Sequence, residues 1–193
     1  MTGTKREIVY WEKPGPGNTA RTAALAAARA KALGLTHVVV ASNTGETAKA
    51  LRQALEPIGG VRLVCVTHSV GFQKPNESEM PAQARRELTA AGVDVLTTTH
   101  FFAGVDRALR FLKGGYHPGE IVAMSLRLMG QGLKVAVEIA IMAADAGLAP
   151  AGHEIIAVGG TGRGADTAVV IRPAHGQSFF DTRVVEILCM HRA

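Results

Sequence analysis

The sequence predicts an α/β fold: a three-layer sandwich in which helices cover both faces of a mostly parallel sheet. Strand-like and helix-like segments alternate through most of the chain, and the strand-like segments are unbroken apolar runs such as His37–Ala41 and Val61–Thr67. Unbroken runs indicate strands that are buried on both faces, which is typical of a parallel sheet between helical layers. The last two strand-like segments follow each other without a helix, so we expect an antiparallel edge.

The first half of the chain predicts four strands and four helices. A Pro/Gly turn at 13–17 ends the first strand, Gly34 ends the Ala-rich first helix, and Gly59-Gly60 follows the second. Pro81 stands near the start of the third helix, where its missing N–H costs nothing. In chain order the elements are strand Ile8–Trp11, helix Thr19–Leu33, strand His37–Ala41, helix Thr44–Leu55, strand Val61–Thr67, helix Pro81–Ala91, strand Val93–Thr97 and helix Phe101–Leu112.

The second half predicts two helices and three late strands. Gly130-Gln131-Gly132 separates the helices, and Gly147 ends the second. No linker divides the chain, so we predict a single domain over residues 1–193. The elements are helices Pro118–Met129 and Leu133–Ala146, and strands Ile155–Val158, Ala168–Ile171 and Val184–Cys189.

Composition and charge exclude several classes of protein. Hydrophobic residues make up 47% of the 193 residues and charged residues 19%, so the chain is not intrinsically disordered. The net charge of +5 suggests a polyanionic partner. However, residues 1–113 hold 15 basic and 9 acidic residues, whereas residues 114–193 hold 6 basic and 7 acidic residues. The basic residues mostly have the spacing of a helix surface, which indicates solvent-exposed faces rather than a binding site. We find no nucleic-acid motif and no apolar run of about 18 residues, and expect neither nucleic acid nor a membrane as partner. Cys65 and Cys189 lie in apolar surroundings, which indicates buried reduced thiols and a cytoplasmic protein.

A loop after the second strand has the features of a phosphate site. The segment Ser42-Asn43-Thr44-Gly45-Glu46-Thr47 leads into a helix, whose N-terminus offers free N–H groups and about half a positive charge. The hydroxyls add donors, and the spacing is like the flavin-mononucleotide phosphate loop of flavodoxins. A carboxylate at residue 45 is therefore expected to exclude phosphate. The alternative is a capping box, in which Asn43 caps the helix and Glu46 reaches back.

A second glycine-rich loop follows the strand Ile155–Val158. Gly160, Gly162 and Ala165 satisfy a GxGxxA spacing, but a strand rather than a helix comes next, so we exclude a dinucleotide fingerprint. Backbone N–H groups and the guanidinium of Arg163 could instead form an anion nest. The alternative is a tight connection with Asp166 paired to Arg163.

Lys134 begins a helix that is apolar nearly all round and is therefore predicted to be buried. A buried ammonium group needs an anion, which either Glu138 or a ligand phosphate could supply. His68 and His100 each end a strand region, which places them at the expected ligand edge as acid–base candidates. The histidines form no metal-ligand spacing, so we predict no metal, and the sequence assigns no catalytic residue.

Three blocks of the sequence resemble a known family: residues 39–48, residues 132–138 with 142–147, and residues 158–168. They look like those of stand-alone proteins similar to the C-terminal domain of pyruvate kinase, and the likeness runs from Ile8 to Met190. The resemblance implies the three-layer fold, the phosphate of a sugar-phosphate effector at Ser42–Thr47, and flavin mononucleotide as a ligand, with which members of the stand-alone family are associated. It implies no reaction, because 193 residues cannot also contain the catalytic barrel of pyruvate kinase.

This chain departs from the family pattern at two places. Asn43-Thr44 stands where relatives have Ser-Tyr, which removes a ring that could stack on a flavin, so Phe72, Phe101 or Phe102 would have to serve. His191 stands where the pattern has proline, which we expect to matter little.

We therefore expect a small phosphorylated ligand at the carboxyl ends of the strands. Flavin mononucleotide is the expected cofactor, with a flavoenzyme as one outcome, and the alternative is a non-catalytic regulatory module that senses a sugar phosphate or other phosphorylated metabolite. The apolar helices leave room for a homo-oligomer. The expected binding residues are Ser42, Asn43, Thr44, Gly45, Thr47, Thr67, His68, His100, Lys134, Gly160, Thr161, Gly162, Arg163, Gly164, Asp166 and Thr167.

Overall fold

Every predicted strand and helix is present in the computed structural model, which describes residues 3–192. The strands are β1 (Val9–Trp11), β2 (His37–Ala41), β3 (Arg62–Thr67), β4 (Asp94–Thr97), β5 (Ile155–Gly159), β6 (Thr167–Arg172) and β7 (Arg183–His191). The helices are α1 (Thr19–Leu33), α2 (Glu46–Leu55), α3 (Ala82–Ala90), α4 (Val105–Lys113), α5 (Pro118–Arg127) and α6 (Gln131–Asp145). Two short 3-10 segments lie at Pro16–Asn18 and Gly176–Asp181.

The strands form one mixed sheet in the order β1-β7-β6-β5-β2-β3-β4. Strand β6 runs antiparallel to both β5 and β7, whereas the pairs β1–β7, β2–β5, β2–β3 and β3–β4 are parallel. The predicted mixed α/β sandwich is confirmed. Its antiparallel strand lies inside the sheet rather than at the edge, because β7 and then β1 are added beyond it.

The hydrophobic core lies on both faces of the sheet, as unbroken apolar strands require. Along β2, Val38 and Val40 pack into a cluster with α1, α2 and α3, and Val39 packs into a second cluster with α6 and α5. Both cysteines are free and buried, as predicted, and burial raises the pKa of the Cys65 thiol to about 12.

Two helices begin later than the sequence pattern predicts. Helix α2 begins at Glu46 because Gly45 has a φ of +92°. Helix α4 begins at Val105, after a turn in which the Ala103 N–H donates to the His100 carbonyl at 3.0 Å. Within residues 3–192, the helices fall short of the length and apolar character that a bilayer crossing requires.

Candidate functional site

A pocket of about 390 Å³ opens where β2, β3 and β5 end, beside the first turns of α2 and α6. Parallel strands bring their carboxyl ends to one edge of a sheet, and the antiparallel β6 begins at that same edge. The volume lies within the range of roughly 300–1,000 Å³ that small-molecule sites occupy. Twelve of the predicted residues line the pocket: Ser42, Asn43, Thr44, Thr47, Thr67, His68, His100, Lys134, Gly160, Gly162, Arg163 and Gly164.

The other four predicted residues, Gly45, Thr161, Asp166 and Thr167, do not line it. Asp166 is fully buried and accepts hydrogen bonds from the Thr161 N–H at 3.0 Å and the Thr167 hydroxyl at 2.8 Å. The pairing of Asp166 with Arg163, which was the alternative for this loop, is therefore wrong. The carboxylate holds the loop closed between β5 and β6, and Arg163 is left exposed at the pocket.

The first turn of α2 lies against the pocket without a capping side chain. The capping box that was the alternative for this loop is not formed. The Asn43 amide oxygen instead accepts from the His68 N–H at 2.9 Å, and Glu46 pairs with Lys49 at 3.4 Å. The Ser42 hydroxyl, in a residue only 5% exposed, has no hydrogen-bond partner among residues 3–192. Free N–H groups and an unsatisfied buried hydroxyl are the donors that an anion would satisfy.

Gly45 positions this turn but points away from the pocket. A Cβ at residue 45 would lie 3.3 Å from the Ala84 Cβ and 3.4 Å from a Leu88 methyl on α3, at a positive φ that side chains rarely adopt. The expectation that a carboxylate at residue 45 would occupy the phosphate position is therefore wrong. Thr44, which does line the pocket, is the position where a carboxylate tests the site.

Three rings form a cluster on one wall of the pocket. The ring centroids of His68 and Phe72 are 3.9 Å apart, and His100 lies 5.0 Å from His68 and 5.2 Å from Phe72, edge-on to both. The Arg107 guanidinium lies 5.2 Å from the centre of the Phe72 ring. Of the three phenylalanines considered from the sequence, Phe72 is the one that lines this pocket.

Hydrogen bonds hold the His68 ring in place. The Asn43 amide nitrogen, which can only donate, lies 3.1 Å from Nε2, so Nε2 is the acceptor of this bond. The Nδ1 atom bonds the Glu79 carboxylate. The neighbouring His100 ring is neutral near pH 7, because burial lowers its pKa to about 4 despite the opposing charge of Glu138.

Lys134 forms the ion pair with Glu138 that was one of the two alternatives left open by the sequence. It is 7% exposed and bonds Glu138, itself 4% exposed, and it also lines the pocket. The second oxygen of Glu138 accepts from the Phe102 N–H at 3.1 Å. Burial lowers the pKa of Lys134, and Glu138 opposes that shift. The ammonium group has three donors, so pairing with Glu138 leaves capacity for a ligand oxygen.

Sequence reasoning missed Arg107, Arg127 and Gln131, which also line the pocket. Arg127 donates to the Gln131 side chain at 2.7 Å, and neither arginine pairs with a carboxylate within residues 3–192. No local signal identifies the two arginines, because α4 and α5 reach the pocket only through tertiary packing.

Glycines next to the pocket permit close approach of backbone segments. A Cβ on Gly132 would overlap the Thr167 side chain and lie 2.6 Å from an Asp166 oxygen. The absence of a side chain at Gly132 thus allows the start of α6 to pack against the start of β6.

These features define an α/β protein with a polar pocket at the carboxyl edge of its sheet. A family profile described as "Pyruvate kinase, alpha/beta domain" matches residues 20–171. The chain therefore belongs to this family, which confirms the resemblance seen in the sequence.

Solved structures similar to the chain include two of pyruvate kinase from Cryptosporidium parvum. One is 16% identical, with a TM-score of 0.40, over 79% of this chain and 22% of that one. The other, in complex with ADP, is 15% identical, with a TM-score of 0.40, over 87% of this chain and 23% of that one. The chain thus spans less than a quarter of either protein.

Proposed function

We propose that the protein binds a small phosphorylated ligand, flavin mononucleotide, in the pocket at the carboxyl edge of the sheet. The observation that carries the proposal is the uncapped first turn of α2 beside the buried, unpartnered Ser42 hydroxyl. A helix N-terminus of this kind binds phosphate through its free N–H groups and its partial positive charge. Thr44 and Thr47 add hydroxyl donors to the same wall of the pocket.

The ring cluster supports a flavin at the other end of the ligand. The rings of His68, Phe72 and His100 provide aromatic surface on which a flat ring system can pack. They take the place of the tyrosine that the family pattern has at residue 44, where this chain has threonine. The lowered pKa of His100 keeps that ring uncharged near neutral pH.

A regulatory module that senses a sugar phosphate, without chemistry, is the second candidate. It is favoured by the number of hydroxyl and guanidinium groups in the pocket, which exceeds the number of rings. Such groups suit a polyhydroxylated phosphate as well as they suit a ribityl phosphate.

Binding is tested first by the absorption spectrum of the purified protein and by a fluorescence titration with flavin mononucleotide. Riboflavin, which lacks the phosphate, is the matched ligand and should bind more weakly. A thermal-shift series with sugar phosphates runs in parallel, since a ligand at 100 times its Kd adds about 2.7 kcal/mol of stability. A shift from a sugar phosphate with no response to the flavin would favour the second candidate, and no response to any phosphate compound would refute both.

The phosphate position is tested by Thr44→Asp, with Thr44→Ser as the control. The aspartate should weaken binding by roughly 10- to 150-fold, the equivalent of a charge-assisted hydrogen bond of about 1.5–3 kcal/mol. A carboxylate near the start of α2 is favourable to the helix, so the variant should fold as the parent does. Equal affinity for the parent and both variants would place the phosphate elsewhere.

A further inference from the structure

We propose that the protein forms a homodimer through the outer face of α4 and α5. This α4–α5 surface is defined by nine apolar residues that are between 39% and 83% exposed: Val105, Leu109, Phe111, Leu112, Tyr116, Ile121, Met124, Leu128 and Met129. The inference goes beyond ligand binding and does not depend on it.

Helix α4 turns polar residues toward the protein and apolar residues toward solvent, which is the opposite of an ordinary surface helix. Its polar residues bind α5: an Asp106 oxygen accepts from the Gly119 N–H at 2.6 Å, and Arg110 pairs with Glu120 at 3.1 Å. Its apolar residues are turned outward, and none of its residues is buried. A surface helix normally turns its apolar stripe to the core, so the outward stripe on α4 indicates that a protein surface covers it.

The exposed apolar area is what a stable dimer needs. Taking about 150–200 Å² of accessible surface for each large side chain, the nine residues together present roughly 800–1,100 Å² to solvent. That exceeds the largest apolar patch of a typical monomer, about 300–600 Å². It matches the roughly 800 Å² that each partner buries in a standard interface.

The charges around the surface favour a second copy of the chain over an anionic membrane. Arg107 lies over Phe72, Arg110 pairs with Glu120, and Arg127 bonds Gln131. Among the basic residues of the two helices, Lys113 alone has no such contact within residues 3–192. A lipid surface would be bound through a rim of several free basic side chains. An apolar face with a single free basic side chain can instead meet its own copy across a two-fold axis.

Analytical ultracentrifugation of the full chain tests the proposal. The parent should sediment at twice the 20.2 kDa of one chain. Phe111→Glu on α4 and Leu128→Glu on α5, at positions 76% and 83% exposed, should each weaken the dimer at least about 30-fold, the effect of losing an interface hot spot. Both side chains are exposed in the single chain, so the two monomeric variants should keep the far-UV circular dichroism of the parent and unfold cooperatively. Their Tm should be lower only by the stability that dimerisation adds.

The matched control is Phe180→Glu, since Phe180 is 81% exposed but lies outside α4 and α5. This variant should remain a dimer. A monomeric parent, or a parent dimer that Phe111→Glu and Leu128→Glu leave intact, would overturn the proposal. A monomeric parent that floats with phosphatidylcholine vesicles, and loses that binding with Phe111→Glu, would overturn it in favour of a lipid surface.

Discussion

Replacing His100 with glutamine should remove an acid-sensitive part of the protein's stability. Burial lowers the pKa of His100 from 6.5 to about 4, so the unfolded chain takes up this proton more readily than the folded one. The contribution of neutral His100 to the free energy of unfolding is therefore fully present above pH 6.5. This contribution is lost as the pH falls from about 6.5 through about 4, because the unfolded chain then binds the proton and the folded chain does not.

The structure sets the size of this effect. At about 1.36 kcal/mol per pH unit, the lowered pKa of His100 corresponds to about 3 kcal/mol in full. About 2 kcal/mol of that should be lost between about pH 7.5 and about pH 5, where the unfolded-state histidine becomes protonated and the folded one stays neutral.

Urea unfolding at these two pH values measures the difference. The free energy of unfolding of the parent should fall about 2 kcal/mol more than that of His100→Gln. His153→Gln, at an exposed position with a single backbone contact, is the control and should follow the parent. If His100→Gln loses as much stability on acidification as the parent does, then the side chain is not held in the desolvated position from which the prediction is derived.

Two further predictions concern packing around the pocket. Glu138→Gln leaves Lys134 buried without a counter-charge, so it should lower the free energy of unfolding in urea by about 3–5 kcal/mol. Adding Lys134→Met should restore most of that free energy, and a double variant no more stable than Glu138→Gln would contradict the prediction. Gly132→Ala should lower the free energy of unfolding by at least about 1–3 kcal/mol, because the new methyl group overlaps Thr167. The control is Gly17→Ala, where a Cβ meets nothing within 4 Å, and it should change the free energy of unfolding by no more than about 0.5 kcal/mol. Equal losses of stability for the two variants in thermal unfolding would refute the predicted overlap with Thr167.

The elements and the position of the pocket could be predicted because their causes are local or follow from a general rule of the fold. Runs such as His37–Ala41 are buried on both faces whatever their neighbours are, and parallel strands place the following loops at one edge. Most of the predicted site residues come together for that reason.

The errors arose where a residue's partner is distant in the chain. A local rule paired Asn43 with the helix that follows it, but Asn43 bonds His68, which is 25 residues away. The direction of a Cβ at Gly45 depends on where α3 packs, and the positions of Arg107 and Arg127 depend on how α4 and α5 fold over the pocket.

By itself, the sequence determined the layers, the strand and helix content and the two loops that meet at the pocket, because hydrophobic periodicity and glycine placement act over a few residues. Only the tertiary structure decided which polar groups of residues 3–192 are free, such as the Ser42 hydroxyl, and which are engaged, such as the Asn43 amide. It also decided that α4 turns its apolar side outward. Both outcomes depend on contacts between segments that are far apart in the chain. A local pattern of residues does not determine the energies of such contacts.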